Sequence, residues 1–145
     1  MTINNDSEFK LALSELSRAG QRLVGARFAE NVLTLCSDAR VKHVIATAMR
    51  SDLTDEELDA AIGAARKASV DSFTQCGAEC DWHSQAGHFV AEAALASVKQ
   101  SANSAWDAAM HARMARTSES IATGIGTDNA EAEVQYRILA EFMKD

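Results

Sequence analysis

Residues 51–73 read SDLTDEELDAAIGAARKASVDSF, and this stretch decides the fold. Thr54 and Glu57 have the spacing of a capping box, in which each side chain bonds the other's backbone N–H. Asp55, Glu56 and Glu57 fall in the first turn that follows, where the helix dipole favours negative charge. Beyond them Leu58, Ile62, Ala65 and Phe73 trace one apolar face at helical spacing, and Gly77 is placed as the residue just past the end. A long, well-started helix is predicted.

The same rhythm extends in both directions. Upstream, Val24, Phe28, Val32 and Leu35 mark a helix over about 7–36, with Ser7 as its N-cap and Gly20 and Gly25 as places for a bend or short break. SDAR (37–40) reads as a turn. Val41, Val44, Ile45, Ala48 and Met49 then form one side of a short helix. Downstream, a helix over about 84–100 is expected to bury Phe89, Ala93 and Ala94, with Val90 beside them. Another over about 102–122 carries Trp106, Met110 and Met114 on its core stripe, and SANS (101–104) is a weak break between the two. Thr127 or Asp128 caps the last helix, about 129–144, which is expected to bury Val134, Ile138 and Phe142. No proline interrupts the chain, and alanine, the best helix former, is abundant. The prediction is all-α: a single compact bundle of five to six mostly antiparallel helices, one domain over 1–145, with 1–6 disordered.

Composition narrows the function. With 14 Lys and Arg against 21 Asp and Glu the net charge is −7, and the basic residues are scattered. Phosphate backbones repel such a surface, so a nucleic-acid partner is not expected. No apolar run is long enough to cross a membrane. The polar start MTINNDSEFK lacks the basic and apolar segments of a secretory signal, so a cytoplasmic location is expected. Three cysteines do not make an even disulfide framework, and reduced thiols are the expectation there.

CGAECDWHSQAGH (76–88) concentrates the chemistry-bearing residues. Cys76, Cys80, His83 and His88 offer the thiolates and imidazoles that zinc prefers. All four fall in one short segment, however, whereas structural zinc sites draw a second pair from far along the chain. The adopted reading is a bend between helices with small buried cysteines, and no metal or cofactor is expected. Glu79–His83 and His88–Glu92 are both spaced by four, not the three of a di-iron bundle. His43 and His111 lie beside core stripes and are expected to pack with a satisfied ring nitrogen. The acidic run Asp52, Asp55, Glu56, Glu57 and Asp59 reads either as a solvated, capped helix start or as a patch for a basic protein.

Several segments taken in order resemble a known family: AENVL (29–33), AARKAS (64–69), QAGHFVAEAALAS (85–97), WDAAMHARMA (106–115) and AEAEVQYRILAEF (130–142). The sequence is similar to the Imm-5 family of immunity proteins from bacterial polymorphic toxin systems. AEAALAS replaces the Ala-His repeat usual after the central Ala-Gly segment, and Leu35 and Cys36 stand where an aromatic pair is common. The resemblance implies a non-enzymatic protein that binds a toxin, one of basic character fitting the acidic balance, and neutralises it by occlusion. The alternatives are a small helical metal or redox protein built on Cys76, Cys80, His83 and His88, and a helical homo-oligomerisation module.

Overall fold

The capping box forms as predicted. In the computed structural model Thr54 N–H donates to Glu57 Oε1 and Glu57 N–H donates to Thr54 Oγ1, each at 3.1 Å. The structure describes residues 2–76 and 81–144. Gly77, the expected end of the capped helix, lies outside them. Among the described residues the chain is all-helical, with seven α-helices and no strand. They are α1 (Asp6–Ser14), α2 (Arg18–Asn31), α3 (Ala39–Ala48), α4 (Asp55–Cys76), α5 (Trp82–Val98), α6 (Ser104–Ala122) and α7 (Glu131–Lys144). A 3-10 turn, Leu33–Leu35, joins α2 to α3.

Seven helices replace the expected five to six because the first predicted helix is two. The chain breaks between Ser14 and Arg18, where Ser17 accepts from Gly20 N–H and starts α2 afresh. Ser7 is not the cap of α1; Asn5 is, accepting from Glu8 N–H at 2.9 Å. At the other end Asn129, rather than Thr127 or Asp128, accepts from Glu131 N–H. Gly124 and Gly126, at φ 83° and 95°, turn the chain between α6 and α7 in a region that side-chain-bearing residues rarely enter.

The core is small-residue packing around a few large side chains. α5 and α6 pair most extensively, α4 lies against α5, and α2 packs on both α5 and α6. Ala105, Ala108, Ala109, Ala112 and Ala115 form the buried stripe of α6. This corrects the expected stripe of Trp106, Met110 and Met114. Trp106 and Met110 are half-buried and Met114 is exposed. Phe73, expected on the inner face of α4, is 69% exposed; Ala65 is buried as expected, together with Ala61 and Ala68. Phe89 is also only half-buried. Alanine lets backbones approach closely, and the larger side chains are displaced to the rim.

α7 differs by one register. Val134, Ile138 and Phe142 are half-buried, while Glu131, Gln135 and Leu139 face fully inward. The two polar residues are tolerated because they are paired. Gln135 accepts from Arg113 Nε (2.8 Å) and donates to the Ala109 carbonyl (2.9 Å). Glu131 accepts from Asn31 (2.8 Å) and from Arg116 Nε (3.1 Å). Arg113 also makes a two-pronged bond with Asp6 (3.0 and 2.8 Å), which accepts a third from the Tyr136 hydroxyl (2.7 Å). These bonds tie α1 to α6 and α7, over Phe9, which contacts Phe28, Trp106 and Tyr136 at ring separations of 5.6, 6.1 and 5.3 Å.

Candidate functional site: a polar cleft and an apolar groove flanking α5

Asp81 starts α5 by accepting from Ser84 N–H at 2.7 Å. The next turns of α5 pass the end of α4 and the 3-10 turn, and a cleft of about 450 Å³ opens between the three. Gly87 permits the approach: a Cβ there would lie 3.4 Å from the Leu35 carbonyl oxygen. Cys36, Asp38, Arg40, Asp71, Ser72 and His88 are among the residues that line the cleft.

His88 sits at its base in a chain of polar contacts. Nδ1 is 2.7 Å from Ser72 Oγ, and Nε2 is 3.5 Å from Glu92 Oε1. Ser69 donates to that same carboxylate oxygen. The single hydroxyl proton of Ser72 has two acceptors in reach, the Ser69 carbonyl at 2.9 Å and Nδ1, so the tautomer of His88 and the rotor of Ser72 are set together. Higher in the cleft Arg40 bridges Asp38 (2.7 Å) and Asp71 (2.8 Å). Hydrogen bonds from Arg40 hold the Asp38 carboxyl below its ordinary range. The Cys36 thiol is free, and burial pushes its pKa up, which disfavours the nucleophilic thiolate.

The segment expected to carry the chemistry does not act as one group. Cys76 is disulfide-bonded, contrary to the expected reduced thiols, and a sulfur so committed is no thiolate ligand. Cys80 lies outside the described residues. His83 is exposed, whereas His88 is half-buried against Ser72. Among the described residues no group of three or more His, Cys, Asp or Glu is placed to hold a metal ion.

The acidic run stands at the opposite end of α4. Asp52, Asp55, Glu56 and Asp59 are exposed and Glu57 is half-buried. Arg50 pairs with Asp52 (3.2 Å) and Glu57 (2.6 Å). The Thr54 backbone N–H and then Arg50 hold the Glu57 carboxyl low, and Arg50 does the same for Asp52. Two of the five acids are thus engaged locally. Asp55, Glu56 and Asp59 remain as open negative charge.

The other flank of α5 carries Phe89 and, across from it on α6, Met110 and Met114, which periodicity assigned to the core. Trp82, Phe89, Met110, Met114 and Ile121 line a groove of about 490 Å³ between α5 and α6. Trp82 and Met114 are each 45% exposed. Phe89 connects the groove to the cleft: its ring is 5.7 Å from that of His88 and, on the other side, 6.4 Å from that of His111, with which it stacks. Phe73 extends the ladder, 5.8 Å from His88. His111 departs from the expectation of a satisfied ring, because its buried Nδ1 has no hydrogen-bond partner. Burial lowers its pKa; Glu92 and Asp107 act in the opposite sense, and His88 and Lys99 add to the lowering. His43, by contrast, is exposed.

Sequence reasoning did not find Ser69 and Ser72, which lie on α4 and meet Glu92 and His88 of α5 only in the folded chain. Met114 was read as part of a core stripe and stands at the surface instead. Comparison with protein-family models, curated proteins and solved structures finds no match to this chain.

Proposed function

We propose that the chain is an immunity-type binding protein that neutralises a protein toxin by occlusion, without catalysis of its own. The observation that carries this reading is the set of large apolar side chains left uncovered on a well-packed helical scaffold. Trp82, Met114 and Phe73 stand exposed on helices whose inner faces are filled by buried alanines. Tryptophan, methionine and phenylalanine are enriched at protein interfaces, and tryptophan in particular is a frequent energetic anchor. A scaffold of this kind presents such anchors with little ordering cost on association. The resemblance of the helical segments to immunity proteins supports the reading, as does the charge of −7, which favours approach of a basic toxin.

No helix among the described residues is long and apolar enough to cross a membrane. Co-expression with a toxin domain, sought among the genes that neighbour this one, tests the proposal. Cells carrying both are expected to survive and cells carrying the toxin alone to die; death of both populations would remove the reading.

A further inference from the structure

The polar cleft beside α5 holds one group of side chains arranged for more than packing. Ser72 stands near the end of α4, and His88 and Glu92 stand on successive turns of α5. Ser72 Oγ lies 2.7 Å from His88 Nδ1, and His88 Nε2 lies 3.5 Å from Glu92 Oε1. Ser69 donates to the same Glu92 oxygen and holds the carboxylate in place. Hydroxyl, imidazole and carboxylate therefore follow one another in the order in which a base activates a nucleophile and a third group orients the base. The second contact is long for a hydrogen bond, as such contacts often are before a substrate is bound.

The carboxylate decides where the imidazole proton sits. A negative oxygen facing Nε2 favours the tautomer that carries its proton there, which leaves the Nδ1 lone pair for the Ser72 hydroxyl. Ser72 and His88 both line the cleft of about 450 Å³, enough room for a small ligand. Asp38 and Asp71 line it as well, against the one guanidinium of Arg40. Two carboxylates against one cation disfavour an anionic ligand and leave an uncharged one unopposed.

We propose that Ser72 is an activated nucleophile, and that the cleft takes small uncharged esters with a good leaving group, which acylate it. Ser72 Oγ forms a bond to the carbonyl carbon, and the bond from that carbon to the leaving oxygen breaks. His88 Nδ1 takes the hydroxyl proton and hands it to the departing oxygen. Glu92 positions the ring and offsets the positive charge it carries between the two transfers. The modification is one acyl group per chain and is complete without turnover. It uses no part of the exposed apolar surface and does not rest on the toxin-binding reading.

The probe is p-nitrophenyl acetate, reacted with the full chain at about pH 8, above the imidazole range, and followed by peptide mass mapping. Ser84 lines the same cleft and serves as the internal reference. Ser72 is expected to gain its acetyl group at least about 100-fold faster than Ser84. His88→Gln is expected to remove that advantage while the helical circular dichroism is retained. Nitrogen NMR is expected to find the His88 proton on Nε2 in the parent chain and shared between both nitrogens in Glu92→Gln. Ser72 acetylated no faster than Ser84, an advantage that survives in folded His88→Gln, or a parent His88 protonated on Nδ1 would each overturn the proposal. The first and the third are read on the unaltered protein, so a variant that fails to fold leaves the test intact. An Nε2 proton unmoved in Glu92→Gln would overturn the part given to Glu92.

Discussion

The junction of α1, α6 and α7 and the face made by α4, α5 and α6 use the same side-chain vocabulary and finish it differently. At the junction, Asp6, Arg113, Gln135 and Tyr136 complete one another's hydrogen bonds over the buried ring of Phe9. On the open face, Phe73 and Trp82 point outward and His111 keeps a buried nitrogen without a partner. Buried polar groups are ordinarily satisfied, so the contrast separates a junction whose polar groups complete one another from a face that leaves a ring nitrogen unpartnered and large apolar side chains uncovered.

Truncating one phenylalanine in each region tests the contrast most sharply. Phe9→Ala is expected to cost about 3–5 kcal/mol, because it empties a fully buried site; Phe73→Ala is expected to fall within about 0.5 kcal/mol of the parent. Urea denaturation of both variants measures the difference, and similar losses would erase the distinction. Next in size is Arg113→Ala, which leaves the buried Gln135 oxygen unpaired and is expected to cost about 1–3 kcal/mol. Its pair with Asp6 adds little, since that carboxylate is half exposed.

The pH dependence differs in sign-setting group and in window. Burial lowers the pKa of His111, so the unfolded chain binds its proton more readily. The stability tied to neutral His111 is complete above the ordinary value of 6.5 and is lost as pH falls from there through the folded value. His111→Leu is expected to flatten thermal stability between pH 7.5 and 5 (roughly one unit either side of the imidazole range). The Arg113 bonds lower Asp6, against a partial desolvation penalty. Its contribution is therefore present above 3.8 and is lost as pH falls further, a transition that Asp6→Asn is expected to remove. A smaller loss is expected for Ser72→Ala, about 0.5–1.5 kcal/mol for one partly exposed hydrogen bond, read in the same denaturation series.

Much of the architecture could be read from short-range chemistry. The Thr54–Glu57 box, the α3 stripe of Val41, Val44, Ile45 and Ala48, and the inward Val24, Phe28 and Val32 all follow from residues within a few positions of one another. What escaped depends on distant partners. Gln135 turns inward because Arg113 and the Ala109 carbonyl await it, and Glu131 because Asn31 lies 100 positions earlier in the chain. Met114 turns outward because alanines already fill the narrow space beneath it, a result that hydrophobicity alone ranks the wrong way. Of the candidate site, His88 and Glu92 are four residues apart on one helix and their spacing was visible in the sequence, but Ser72 reaches His88 only through the packing of α4 against α5.

Gly87 has a consequence for how such chains can diverge. A methyl group at position 87 would lie 3.4 Å from the Leu35 oxygen, at the near edge of ordinary contact, so alanine just fits and a longer side chain does not pass unhindered. The missing side chain therefore acts as a gauge for the mouth of the cleft. Sister sequences that carry a larger residue at this position would hold Cys36 and Asp38 farther from His88, and so widen the cleft from within its own wall.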